Sequence, residues 1–250
     1  MSKRRTSPVR IEPVKTHMCD LNLRLSILHQ VPFFVHLSHE RVAEINQLFH
    51  EYGYEAGENI YFSGDRAAHL YIVASGQVKL LRHSVTGQDV MVDVLSAGDF
   101  FGTFSALEEA DYVDTAQAQI PVCVLRIPVE DFRSLLIHDP QAALKVLDIT
   151  SRRLQDAYEM LRQLSAHSVE KRIAYVLLKL ADKLGEASEE GLLIQMPLNR
   201  DDIAQMTGTT SETASRVMSQ FQKDGLIQSG RQWVAIVDQE QLARTAAAEG

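Results

Sequence analysis

Between Tyr54 and Ile127 the chain reads as short β-favouring runs cut at close intervals by glycine, and no other feature narrows its fold as much. The glycines are Gly57, Gly64, Gly76, Gly87, Gly98 and Gly102. Between them lie Asn59–Phe62, His69–Ala74, Gln77–His83, Asp89–Leu95, Val113–Ala118 and Val122–Ile127. Strands spaced this regularly imply a closed double-sheet roll, or jelly roll, rather than alternating βα units.

The flanks are helical. Residues 1–20 are polar and basic (Lys3, Arg4, Arg5, Arg10, Lys15) with Pro8 and Pro13, the pattern of a loose solvated tail or, alternatively, a phosphate-binding arm. Leu21–Leu28 reads as a short apolar helix or turn. Ser38–Tyr52 reads as a capped helix with Val42, Ile45 and Leu48 on one face. Over Asp139–Ala166, Leu144, Leu147, Ser151, Leu154, Tyr158 and Leu161 alternate spacings of three and four. That is a coiled-coil seam, and a seam so narrow on a long helix wants a partner helix. The alternative is a helix packed only on its own roll. Ser168 can cap a helix over Val169–Leu184, which makes His167-Ser168 a hinge. The expected organisation is a flexible segment 1–30, a roll 31–138, a long helix and hinge 139–167, and a further domain 168–250. The fold class is α+β.

The assignment of the last domain rests on residues 199–236. Asn199 can N-cap a helix whose Asp202 reaches back, as in a capping box. Thr207-Gly208-Thr209 supplies the glycine of a tight helix-turn-helix. A second helix begins near Thr210, runs through Val217, Met218 and Phe221, and stops at Gly225. Leu226-Ile227, Ser229-Gly230 and Trp233–Ile236 then read as a β-hairpin wing. On the second helix Glu212, Ser215 and Arg216 stand at i, i+3 and i+4 and share one face. Arg216 can donate to O6 and N7 of guanine, Glu212 can accept from the cytosine amine, and Ser215 is short enough to approach a thymine methyl. Thr210, Ser211 and Thr213 flank them as further DNA contacts.

Bulk charge does not support this reading. The 250 residues carry a net charge of −8, and between 198 and 231 Arg200, Arg216, Lys223 and Arg231 are matched by Asp201, Asp202, Glu212 and Asp224. The DNA assignment therefore rests on the motif, with phosphate contacts expected from placed cations, backbone amides and helix N-termini. No apolar run approaches a membrane span, and the basic Met-Ser-Lys-Arg-Arg start has no apolar region behind it, so a secretory signal is not expected. Two cysteines, Cys19 and Cys123, do not make a disulfide framework. The expectation is a cytoplasmic protein. An enzyme of the metal-dependent cupin kind would need a His-x-His, which the roll lacks, and no phosphate loop or nucleophile elbow is present.

With these motifs in place, the chain from about residue 30 resembles the CRP/FNR superfamily of bacterial transcription regulators. Gly64-Asp65, Leu70-Tyr71-Ile72-Val73 with Gly76, and Gly98-Asp99-Phe100-Phe101-Gly102 resemble its effector domain. Glu212-x-x-Ser215-Arg216 resembles the fumarate–nitrate regulator branch, whereas the cyclic-AMP receptor branch has Arg where Ser211 stands and Gly where Ser215 stands. The resemblance implies a homodimer on double-stranded DNA, a TTGAT-type inverted repeat rather than TGTGA, dimerisation through the 144–161 seam, and RNA polymerase as a partner.

It also frames the signal. Cyclic-nucleotide binders of the family carry Gly-Glu-Leu and Arg-Ser/Thr-Ala where this chain has Gly102-Thr103-Phe104 and Asp114-Thr115-Ala116. From His83 to Leu125 there is no lysine or arginine, against seven aspartates and glutamates, so a buried cyclic phosphate would lack charge compensation. Cyclic AMP is not expected. A four-cysteine iron–sulfur cluster is not expected either, since only Cys19 lies near the N-terminus. Two cofactor-level readings stay open beside a small organic effector. Haem serves some family members, with His17, Met18, Cys19, His36, His39, His69 and His83 as possible ligands here. The oxygen-sensing branch places N-terminal cysteines near a cysteine of the last roll strand, which implies a Cys19–Cys123 redox pair; the plain alternative is a tail thiol and a buried strand thiol. Thr103, Thr115 and Tyr158 complete the effector candidates. A constitutive DNA-binding dimer with a vestigial sensor is the alternative function, and a cupin-like enzyme the more distant one.

Overall fold

A computed structural model of the chain describes residues 7–10, 19–83, 89–105 and 108–247. It divides into two compact units, 12–155 and 1–11 together with 156–250. In the first are α1 (Leu21–Gln30), α2 (His39–Asn46), β1 (His50–Tyr54), β2 (Asn59–Tyr61), β3 (His69–Ser75), β4 (Val78–His83), β5 (Asp89–Leu95), β6 (Phe100–Phe101), β7 (Thr115–Ala118), β8 (Val122–Pro128), α3 (Val129–His138) and the larger part of α4 (Pro140–Ala166). The second holds the end of α4, then α5 (Val169–Leu184), β9 (Gly185–Ser188), β10 (Gly191–Ile194), α6 (Arg200–Thr207), α7 (Ser211–Lys223), β11 (Ile227–Gly230), β12 (Trp233–Ile236) and α8 (Gln239–Ala247). The fold class is α+β, as the glycine-cut runs imply.

The first eight strands make two four-stranded sheets, ordered β1-β8-β3-β6 and β2-β7-β4-β5. Successive strand residues face opposite ways, and the chain uses both faces of the first sheet. Tyr71 and Val73 of β3 and Val122 and Val124 of β8 point into the roll, against Tyr61, Val78, Leu95, Phe101 and Tyr112. Leu70, Ile72 and Ala74, with Cys123, Leu125 and Ile127, point outward onto Leu28, Phe33, Phe34, Phe49 and Phe132 of the helical layer. Both faces are thus buried, which explains why these two strands read as continuous apolar runs. Gly76 is required where β3 turns into β4: its φ is +84°, and a Cβ there would lie 2.3 Å from the Pro121 carbonyl oxygen.

Three local expectations change. The helix expected over 38–52 starts at Ser38, whose hydroxyl accepts from Arg41 N, but ends at Asn46. Arg24 donates to the carbonyls of Asn46 (3.1 Å) and Phe49 (2.7 Å), so the helix end is satisfied from outside and Tyr52 and Tyr54 are released to pair with β8. The segment expected to be flexible through residue 30 is packed from Cys19 onward. Asp20 caps α1 by accepting from Leu23 N (2.9 Å), and Ile27 and Leu28 are buried. Residues 1–6 and 11–18 of that segment, and Gly87, lie outside the described residues. Finally α3, the β9–β10 hairpin and α8 are additional elements. Among the described residues no helix is long and apolar enough to cross a membrane.

Candidate nucleic-acid interface and effector chamber

The helix-turn-helix is built by local capping. Asn199 accepts from the backbone N–H groups of Asp201 (2.8 Å) and Asp202 (2.9 Å), while Asp202 Oδ2 accepts from Asn199 N (2.9 Å). This is the expected capping box at the start of α6. Gly208 ends α6 with φ +59°, a left-handed position, and a Cβ there would stand 3.2 Å from Leu164 Cδ2. Thr210 then caps α7 by accepting from Thr213 N (3.2 Å).

On α7, Ala214, Met218 and Phe221 form the buried stripe. Glu212 and Arg216 are exposed on the opposite face and Ser215 is half-exposed. Among the described residues, neither Glu212 nor Arg216 makes a hydrogen bond or ion pair. The other three named residues are less free. The Thr210 hydroxyl donates to Thr213 Oγ1 (3.0 Å), and the Ser211 hydroxyl donates to Asp201. This coupling of α7 to the first turn of α6 was not legible from spacing alone. Arg200, a possible phosphate ligand, instead donates to Ser229 Oγ (2.8 Å), and its burial lowers its pKa from the usual guanidinium value. It fastens α6 to the wing.

The seam residues of α4 point to solvent. Leu144, Leu147, Leu154, Tyr158 and Leu161 are 63%, 61%, 52%, 63% and 60% exposed, and Ser151 is exposed among them. Ala142 and Val146, on another face, are buried in the core beneath the roll. So the roll takes one face of the helix and leaves the apolar seam uncovered.

Inside the roll, Asp114 accepts a hydrogen bond from the Tyr61 hydroxyl (2.8 Å). Tyr61 stacks on Tyr112 with ring centroids 3.7 Å apart, and Tyr71 stacks on Phe101 at 5.1 Å. Burial raises the Asp114 carboxyl above the ordinary range, opposed by the Tyr61 hydrogen bond and by Arg82 and Arg153. Burial, then Asp114, likewise raises the Tyr61 phenol. The two arginines lie outside the cation-free stretch 83–125, and they act on the carboxylate. Thr115 is buried. Its hydroxyl oxygen accepts from Ser63 N (3.0 Å) and lies 3.4 Å from His83 Nε2. Thr103 Oγ1 accepts from Val113 N (3.3 Å). Both threonines therefore serve the roll's own backbone.

Cys19 and Cys123 are joined in a disulfide, with Cα atoms 6.4 Å apart. Cys123 shares the outward face of β8 with Leu125, and both sulfurs sit in the helical-layer core. Of the histidines considered for haem, His36 pairs with Asp139 (3.0 Å), His39 with His29 (2.6 Å) and His83 with Asp89 (2.5 Å). Burial lowers the pKa of His69. His17 and Met18 lie outside the described residues. Among the described residues no three His, Cys, Asp or Glu side chains gather as a metal site.

A roll of this topology followed by a winged helix-turn-helix defines the class of sensor-fused DNA-binding regulators, and comparison with known proteins agrees. The cyclic nucleotide-binding domain family matches residues 53–139, and the Crp-like helix-turn-helix domain family matches residues 171–245. The cyclic AMP receptor protein of Thermus thermophilus is 32% identical over 199 residues, 80% of this chain and 89% of that protein. The probable transcriptional regulator flp of Lacticaseibacillus casei is 30% identical over 215 residues, 85% of this chain and 94% of that one. Among solved structures, FixK2 from Bradyrhizobium japonicum superposes with a TM-score of 0.73 at 26% identity, covering 81% of this chain and 99% of that one. The chain belongs to the CRP/FNR family of DNA-binding transcription regulators. Its relatives are regulators, not enzymes.

Proposed function

We propose that the chain is a homodimeric regulator that reads an inverted repeat of TTGAT-type half-sites and takes its signal through the Cys19–Cys123 couple. In this reading residues 31–138 sense, 139–167 pair two copies along the exposed α4 seam, and 168–250 bind DNA. The observation that carries it is the outer face of α7, where Glu212 and Arg216 stand one turn apart with no partner to give up. Pairing would set two recognition helices about 34 Å apart, one turn of duplex.

Support for redox input comes from the disulfide itself. In the cytoplasm such bonds are usually redox-sensing or catalytic. A dithiol reductant would cleave it, leaving Cys19 and Cys123 as thiols and departing as its own disulfide. Cyclic AMP gains no support, since Asp114 occupies the position where its phosphate would need a cation. Haem gains none from His36, His39 and His83, each already paired. RNA polymerase is the natural further partner for a regulator of transcription.

Selection of binding sites from a random duplex pool tests this with full-length protein, oxidised and reduced. The expected product is a TTGAT-type inverted repeat, with affinity differing between the two redox states. Arg216→Ala should cost about 1–3 kcal/mol and relax the guanine position. Joint Ser211→Arg and Ser215→Gly should move preference towards TGTGA, with Asp201 available to hold the introduced guanidinium. Selection of TGTGA by the unaltered protein would overturn the site assignment. Binding indifferent to redox state would leave a constitutive dimer.

A further inference from the structure

The first two residues of α6 reach opposite ends of α7. At the near end, the hydroxyl of Ser211, the first residue of α7, donates to the Asp201 carboxylate. At the far end the link runs through the wing. Gln222 Nε2 donates to the Ser229 carbonyl (3.0 Å), and Arg200 Nη2 donates to Ser229 Oγ (2.8 Å). Ser229 therefore joins the last turn of α7 to the first turn of α6. The capping box of Asn199 and Asp202 fixes that first turn. Leu198 N, donating to the carbonyl of Gln232 (3.3 Å), ties the chain just before it to the wing turn.

Such ties bear on base reading. α7 has 13 residues and is about 20 Å long. Its buried stripe of Ala214, Met218 and Phe221 decides which face turns outward. Apolar packing is non-directional, however, and leaves the tilt of the helix to directional bonds. A side chain that must meet a base edge needs its support held to about 0.5 Å and 10–20°. Bonds at both ends of α7 supply that support for Glu212 and Arg216. Arg200 suits the role, since its guanidinium is a rigid, pre-organised donor. Among the cations of the two helices and the wing turn, Arg216, Lys223 and Arg231 are exposed, whereas Arg200 is half-buried. It is the one least open to a phosphate.

We propose that Arg200 is a positioning residue for base reading: acting through Ser229, it sets the tilt of α7, and with it the reach of Glu212 and Arg216, without touching DNA. The proposal rests on the DNA-binding reading above. It gives Arg200 a part in discriminating between sequences, whereas a phosphate ligand would serve every duplex alike.

The test measures binding of full-length oxidised protein to its selected operator and to an unrelated duplex over a range of salt, beside thermal unfolding of each variant. Arg200→Gln should lower operator affinity about tenfold, the equivalent of one hydrogen bond to a charged group. Affinity for the unrelated duplex should change little, so the gap narrows. The slope of log affinity against log salt should stay that of the parent. Ser229→Ala keeps every charge and should reproduce the loss, and the double variant should be no worse than either single one. Arg200→Lys can still donate to Ser229 and should recover most of the discrimination. If Arg200→Gln does not fold, Ser229→Ala carries the comparison. A slope lower by about 0.9 for each phosphate released, about 1.8 for a dimer, with Ser229→Ala binding as the parent, makes Arg200 a phosphate ligand and overturns the proposal. Variants that melt earlier yet discriminate as the parent does reduce Arg200 to a support of the fold and overturn it equally. A parent protein that prefers no operator overturns the DNA reading and the proposal with it.

Discussion

Reduction of Cys19–Cys123 should weaken the sensing unit selectively, and the structure sets the size of the effect. The bond closes a loop of sequence separation 104, for which loop-closure entropy in the unfolded chain corresponds to about 4.7 kcal/mol. Little should offset this in the folded state, since Cys19 and Cys123 are 5% and 3% exposed in an apolar cluster. Buried thiols behave there as small hydrophobes. With a urea slope of about 2 kcal/mol per molar, the midpoint should fall by about 2 M. The assay is urea unfolding with and without dithiothreitol, followed by two probes. Far-UV circular dichroism reports the roll among other elements, while Trp233 fluorescence reports the unit that holds the wing. The reductant should move the first transition and leave the second in place. Cys123→Ala in the absence of reductant should reproduce the shift, enlarged by a cavity contribution of about 1 kcal/mol. A shift below about 0.3 M, or equal movement of both probes, would refute the reasoning. So would full alkylation of both cysteines in air-purified folded protein.

Two further outcomes follow from groups already described. Leu154→Glu places a charge in the middle of the α4 seam at a residue 52% exposed in the single chain. Sedimentation velocity should show self-association weaker by about a hundredfold or more, as two leucine burials of about 1.5–3 kcal/mol are lost from a symmetric interface; an undisturbed dimer would put the interface elsewhere. The Asp114 carboxyl has a raised pKa, so the folded chain binds its proton more tightly than the unfolded one. Its contribution to stability is therefore fully present below the ordinary aspartate range and is lost as pH rises through the folded value. Asp114→Asn keeps an acceptor for Tyr61 but removes this dependence. The stability of the variant relative to the parent should improve as pH rises above the ordinary aspartate range of about 4, and a difference flat with pH would mean that burial does not raise the Asp114 carboxyl.

What the sequence could show depended on how local the cause was. The α6 capping box needs only Asn199 and Asp202, and α5 needs only Ser168 ahead of an apolar period, so both were legible. The fate of residues 47–54 was not, because the helix end there is settled by Arg24, more than twenty positions away. The recognition face divides in the same way. Spacing placed Glu212, Ser215 and Arg216 together, but it could not reveal that Ser211 is spent on Asp201.

The basic start of the chain is the sharpest case of a non-local cause. By composition alone it reads as a solvated tail, and nothing within it selects Val9. The information lies in Trp233, Ala235 and Leu193, whose exposure without a cover would cost about 25 cal/mol for every Å² of apolar surface. A wing that stations an indole on its outer face requires something apolar above it. Val9 meets that requirement.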